Sequence, residues 1–314
     1  MARTKIVVVG SSNTDMVVRV PRLPAPGETL IGGRFAMVPG GKGANQAIAA
    51  SRAGGKVSFI GRMGRDELGE RALQRLTQDG INTQHVSRDN TAASGVALIL
   101  VAADGENCIA VSPGANARLS ATHIARAKKA FSRTAIVLLQ LETPMPAVCA
   151  AARLARQAGA RVILNPAPAS ALPVSLLRNV SILTPNESEA ETLTGVRVTN
   201  ETTAARAARR LHDQGVETVI ITLGSRGAYV SSDSVSERVP GFRVKAIDTT
   251  GAGDVFNGAL AVALSEKLDL RQAVRFANAA AARSVTRRGA QASAPTRSAI
   301  LRLLLPRPSD SAPR

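Results

Sequence analysis

The chain of 314 residues is 45% hydrophobic with mean hydropathy +0.04, enough to bury one large α/β core or two smaller ones. Aromatics are only 2%, so the core is aliphatic and a base-stacking surface for single-stranded nucleic acid is disfavoured. The net charge of +17 is spread over single Arg residues, as in AARLARQAG, which argues for polyanionic small ligands rather than nucleic acid.

Cys108 and Cys149 form no CxxC pair and the histidines no ligand spacing, which speaks against a disulfide framework or a zinc site. The apolar run in MARTKIVVVG is too short for a signal sequence, and no run approaches membrane-spanning length. A cytoplasmic protein is expected, with no nucleic-acid or membrane partner.

In chain order, KIVVVG (5–10) reads as a buried strand and GSSNTD as a polar turn after it. A Pro/Gly-rich stretch near 17–37 interrupts the rhythm. PGGKGANQ (39–46) opens a helix, KVSFIG is a strand, and DELGERALQRLTQDG is a helix that starts on acids and stops at Gly80. SGVALILVAADGENCIAVSPG holds two strand-like runs joined through Asp104-Gly105, a hairpin signal. The βα alternation resumes with ATHIARAKKAFSR, TAIVLLQLE, PMPAVCAAARLARQAG and ARVILNPAPA, then SILTPNESEAETLTG, TTAARAARRLHDQG and ETVIITLGSRG.

This alternation predicts an α/β fold: a doubly wound, mainly parallel sheet flanked by helices. One domain over 1–305 is expected, with a small β-sheet lid formed by about 14–37 and 93–112. The tail PRPSDSAPR (306–314) reads as disordered.

Three segments fall where strands end, the edge at which open α/β sheets bind ligands. Asn13 and Asp15 in GSSNTD could bond vicinal hydroxyls, or simply make a turn. PGGKGANQ lets backbone approach a ligand and adds Lys42 and Asn45, although on its own a tight turn explains it better. It lacks the spacing of a Walker A loop. In DTTGAGDVFNGAL the amides of Gly251, Ala252 and Gly253 lie at the start of an apolar helix, where orphan N–H groups and the dipole favour an anion. A carboxylate there, Asp254, makes sense as a proton acceptor beside a migrating negative charge.

GGKGANQA, TPNESEAE, ITLGSRG and DTTGAGDVFNGAL, in this order and spacing, resemble the ribokinase branch of the phosphofructokinase-B-like sugar kinases. The resemblance runs from VVVGSSNTD to RRGAQASAP. It implies ATP-dependent phosphorylation of the 5-hydroxyl of D-ribose, giving D-ribose 5-phosphate and ADP. A kinase of the same family for 2-deoxyribose, a nucleoside or another sugar is the alternative.

By this resemblance Asp254 is the general base, and Gly251, Ala252 and Gly253 form the anion hole. Asn13, Asp15, Gly41, Lys42, Asn45 and Glu142 match positions that hold the sugar. Asn186, Thr222, Gly224, Ser225, Gly227, Gly253 and Asn278 match positions that hold ATP, and Glu189 belongs indirectly to the Mg2+–phosphate network. Asp248, Thr250, Ser284, Arg287, Gly289 and Ser293 match a loop that binds a monovalent cation, usually K+. The lid commonly serves as a homodimer interface in such enzymes. Asn278 and Arg283 depart from the residues many ribokinases carry, and Arg283 adjoins the cation loop.

Overall fold

The computed structural model describes residues 5–305. The expectation for the tail 306–314 lies outside the described residues.

Strand β1 (Lys5–Val9) shows why the large sheet is covered on both faces. Its Ile6 and Val8 enter one apolar core and Val7 and Val9 the other, as the two-residue period of a strand requires. The smaller sheet follows at once with β2 (Asn13–Arg19) and β3 (Arg34–Gly40), before the chain returns to the large sheet in β4 (Lys56–Gly64) and β5 (Asn82–Asp89). Strands β6 (Gly95–Val101) and β7 (Asn107–Ser112) complete the smaller sheet. The large sheet then continues through β8 (Thr134–Leu139), β9 (Arg161–Leu164), β10 (Ile182–Leu183), β11 (Thr218–Thr222), β12 (Gly227–Ser231) and β13 (Ser236–Pro240).

The nine-stranded sheet has the order β13-β12-β11-β10-β9-β8-β1-β4-β5. It is parallel from β5 to β11 and ends in an antiparallel pair, β12 and β13. From β1 the chain winds outward to β4 and β5, then returns to β8 on the other side. The strand order therefore reverses between β1 and β8, and a crevice opens at their carboxyl ends. The helices Lys42–Arg52, Ala252–Ser265 and Leu270–Ser284 cover one face, and Met145–Gln157 and Glu201–His212 cover the other.

The four-stranded sheet has the order β3-β2-β6-β7, with β2 and β6 parallel and the outer pairs antiparallel. Register places Asp15 beside Val38 and Ala97, and Met16 beside Met37 and Leu98. Asp15 thus looks to one face. Phe35, Met37 and Leu98 lie on the other and are 61%, 40% and 56% exposed, an uncovered apolar surface.

Three local readings need correction. GSSNTD is not a turn as a whole, because Asn13 begins β2; pairing on both sides with β3 and β6 overrides the turn preference of Asn and Asp. ATHIARAKKAFSR is broken into Ala121–Arg126 and Lys128–Phe131 around Ala127. The strand in SILTPNESEAETLTG is only Ile182–Leu183. Among the described residues no helix is long and apolar enough to cross a membrane.

Candidate functional site

The helix Ala252–Ser265 begins on Gly251, whose φ of 73° is left-handed and whose missing Cβ would stand 2.7 Å from the Ala290 Cβ. Only glycine makes that turn at this distance. The Cβ direction of Gly253 meets nothing within 4 Å, so the first turn faces open space. Amides of this turn lack intrahelical partners and lie at the positive end of the dipole.

Asp254 is the next residue, only 6% exposed. Its Oδ2 accepts from Asn45 Nδ2 at 2.9 Å and its Oδ1 from Gln46 Nε2 at 3.0 Å. Burial raises its pKa; the Lys42 charge and both amide donors oppose this, and Glu142 adds to it. Those donors come from the helix Lys42–Arg52, which can lie close because Gly258 sits against it. A Cβ on Gly258 would stand 2.7 Å from both the Ala49 Cβ and the Gln46 carbonyl.

A second polar group gathers at the switch point. Glu142 follows β8, and its Oε2 accepts from the Lys42 amide at 2.9 Å and from the Ser11 hydroxyl. Asp15 reaches over from β2. A Cβ on Gly40 would lie 2.4 Å from the Asp15 Oδ2, and one on Gly41, at φ 87°, would lie 2.6 Å from the Asn13 amide. Asn13 Oδ1 accepts from Asn116 Nδ2 at 2.8 Å. A hollow of about 420 Å³ lies between Asn13, Asn116, Glu142 and Thr143, with Val111 of the small sheet at its rim.

Buried Asn45 Oδ1 and Thr143 Oγ1 have no hydrogen-bond partner. Orphaned polar atoms are costly unless a ligand or water meets them. Burial, followed by the Glu142 charge, pushes the Asp15 pKa up to about 6.

The far side of the Gly253 turn opens into a cleft of about 490 Å³. It is lined by Thr222, Gly224, Ser225, Gly227 and Asn278, with Ala252 and Gly253 at one end and Phe242, Val244, Ala281 and Val285 as apolar wall. Asn186 adjoins it through a bridge to Thr222. Asn186 caps the helix Glu187–Thr194: its Oδ1 accepts from the Glu189 amide, and Glu189 Oε2 accepts from the Asn186 amide, both at 2.8 Å. Burial raises the Glu189 pKa, with the backbone hydrogen bond and Lys42 opposing. Asn278 Nδ2 donates to the carbonyls of Val239 and Pro240, so part of its hydrogen bonding ties the helix to β13.

Asp248 stands before the turn. Its Oδ1 accepts from the Thr250 amide at 2.9 Å and its Oδ2 from the Gly289 amide at 2.8 Å. Burial raises its pKa, but these hydrogen bonds outweigh that and leave it lowered. The Val285 carbonyl accepts from the Ile247 and Asp248 amides, which draws Ser284 to the same loop. The Ser293 amide donates to the Gly289 carbonyl at 3.2 Å. Arg287 and Ser293 both line a further cavity of about 270 Å³.

Sequence reasoning missed a buried polar chain beneath Asp254. Gln46 also donates to Asn165 Oδ1 and accepts from Gln140; Asn165 donates to the Thr184 carbonyl; Thr184 donates to Asn257 Oδ1; Asn257 donates to the Gly253 carbonyl. Gln46 and Asn257 stood inside quoted motifs, one and three positions from residues singled out. Asn165 and Thr184 sit just past strands β9 and β10, which is the only signal they carry. The apolar cleft wall after β13 gave no pattern at all.

A model of the pfkB family carbohydrate kinases matches residues 3–297. The ribokinase of Haemophilus influenzae is 46% identical, the match covering 96% of this chain and 99% of that protein. The deoxyribokinase of Salmonella typhi is 38% identical, covering 93% and 95% respectively. The solved structure of Arabidopsis thaliana ribokinase complexed with ribose and ATP superposes with a TM-score of 0.90 at 33% identity, covering 97% of this chain and 99% of that one. The chain belongs to the pfkB family of carbohydrate kinases.

The raised Asp15 pKa has a kinetic consequence. The carboxylate form, able to accept hydrogen bonds through both oxygens, dominates above about pH 6. If Asp15 holds the sugar, the KM for the sugar should fall as pH rises through about 6 and then level off. Steady-state kinetics between about pH 5 and 8 test this, with Asp15→Asn expected to lose the inflection.

Proposed function

We propose that the protein is a ribokinase, moving the terminal phosphoryl group of ATP to the 5-hydroxyl of D-ribose. The carrying observation is Asp254, a buried carboxylate at the open first turn of a helix whose Ala252 and Gly253 line one end of the largely apolar cleft. The named likeness to ribokinases over nearly the full chain supports the same reading.

In this mechanism Asp15, Asn13, Gly41, Lys42, Asn45 and Glu142 hold the sugar. Asn45 Oδ1 and Thr143 Oγ1 gain partners when hydroxyls arrive. A site built from such groups discriminates strongly against a sugar lacking a hydroxyl, which favours ribose over 2-deoxyribose. Thr222, Gly224, Ser225, Gly227, Asn186 and Asn278 hold the nucleotide, with its phosphates directed to the Gly253 turn. The amides of Gly251, Ala252 and Gly253 face the charge that develops on the transferred group, while Asp254 takes the proton from the attacking hydroxyl. Its raised pKa makes it a better proton acceptor than an exposed aspartate.

The donor sets fit the two ions differently. Among the described residues no three His, Cys, Asp or Glu side chains gather, so no all-protein cage for a divalent ion exists. Mg2+ fits as an ion carried by the nucleotide phosphates, with Glu189 and Asn186 nearby. K+ fits the Asp248 loop, where one carboxylate and the carbonyls around Thr250, Ser284, Arg287, Gly289 and Ser293 offer hard, weakly charged ligands. Such an ion adds positive potential beside the anion-binding turn. The apolar outer face of the small sheet is the proposed homodimer surface.

Three experiments test these statements. Asp254→Asn should bind ribose with little change yet lose about 10²–10⁴-fold in turnover; near-normal turnover removes the base from its role. ADP release across pentoses, hexoses and nucleosides should be fastest with ribose and should drop several-fold when sodium replaces potassium, an ion effect that Asp248→Ala abolishes. Sedimentation velocity should show a dimer that Phe35→Glu/Leu98→Glu splits into monomers.

A further inference from the structure

Asn116 belongs to no motif read from the sequence, yet it is only 1% exposed and borders the 420 Å³ hollow. It stands on the short turn Gly114–Arg118 that follows β7, where the chain leaves the small sheet. Its partners, Ser12 and Asn13, stand where the chain enters that sheet. The turn is held in place by the Ala115 amide, which donates to the Ala93 carbonyl at 2.8 Å.

Backbone groups, each with a single hydrogen-bonding role, fix which way the Asn116 amide faces. Its Oδ1 accepts from the Ser12 amide at 3.0 Å, and its Nδ2 donates to the Ser12 carbonyl at 3.1 Å. A flipped amide would set oxygen against carbonyl and NH2 against N–H. The other hydrogen of Nδ2 goes to Asn13 Oδ1 at 2.8 Å. That bond fixes a second amide in turn. The Asn13 carbonyl oxygen is engaged, and its Nδ2 has no partner among the described residues. Asn13 lines the same hollow and shares a face of β2 with Asp15, two residues on.

We propose that Asn116 is a positioning residue for the sugar: it holds Asn13 in the one amide orientation that presents a hydrogen-bond donor to the bound hydroxyls. This rests on the reading of the crevice as a sugar site. Asn13 then offers a donor while Asp15, beside it, offers an acceptor, and a hydroxyl can meet either. No other side chain among the described residues bonds the Asn13 amide, so its orientation depends on Asn116. Without that bond the amide is free to turn between two orientations, and the sugar must select the one that binds.

The test is a double-mutant cycle in the full chain, read as the KM for D-ribose, the KM for ATP and kcat. Asn116→Ala should raise the KM for ribose about tenfold, the worth of one well-made hydrogen bond, with kcat and the KM for ATP little changed. Asn13→Ala should do the same, and Asn116→Ala added to it should raise the KM little further, because the residue acts through Asn13. Asn116→Asp keeps the side-chain volume and the acceptor for the Ser12 amide while removing the donor to Asn13. It should give the same pattern, and it serves if the alanine variant does not fold. An unchanged ribose KM in the Asn116 variants overturns the proposal. So does an equal rise with and without Asn13, which would mark a general loosening of the fold. If Asn13→Ala itself leaves the KM unchanged, Asn13 does not hold the sugar and the proposal falls with that assignment. If the wild type prefers another sugar, the ribose reading falls, while the same cycle run with that sugar still judges Asn116.

Discussion

A carboxylate buried away from water must be met by donors, and the architecture around Asp254 follows from that demand. An isolated ionised acid in an apolar interior would simply take up a proton. Here two amide groups from a neighbouring helix meet both oxygens, and a lysine charge lies within reach. The compromise is a group that can ionise yet binds a proton more firmly than a surface aspartate. The rest of the site keeps those two helices and the open first turn in fixed relation.

The topology supplies that relation. The reversal of strand order between β1 and β8 places Glu142 and the Ser11 loop together, so the amide of Lys42 meets Glu142 at the crevice. The small sheet grows directly from the end of β1, so Asp15 reaches the crevice from a separate structural layer. The 490 Å³ cleft consequently opens at the same helix start that carries Asp254. The buried chain from Gln46 through Asn165, Thr184 and Asn257 to the Gly253 carbonyl ties that helix start to strands β9 and β10.

Much of this was legible in the sequence because short-range physics carries it. Apolar runs and glycine stops located most strands and helices, and DTTGAGD located the helix start. The failures have a common cause. GSSNTD reads as a turn because local preferences for Asn and Asp favour one, while the pairing of Asn13 with Gly40 and Gly95 is a long-range fact. Likewise, β5 and β13 are the two edges of the large sheet and carry mixed polar patterns, where one side of the strand has no buried neighbour to announce it. The polar chain under Asp254 was invisible because its members come from separate strands and meet only after folding. Asn186 and Glu189 were legible as a pair, and the structure shows them capping a helix, with Asn186 bridged to Thr222 of the 490 Å³ cleft.

The contact of Gly258 with Ala49 and Ala50 carries a further implication. Two helices approach so closely there that no ordinary side chain fits between them, and the geometry around Asp254 follows from that narrowness. A chain with few bulky rings and a core of alanine, valine and leucine can afford such intimacy over a long seam. The plain composition is thus a tolerance: it sets how finely a proton acceptor and its amide partners are aligned, and leaves selection little room to enlarge any residue along that line.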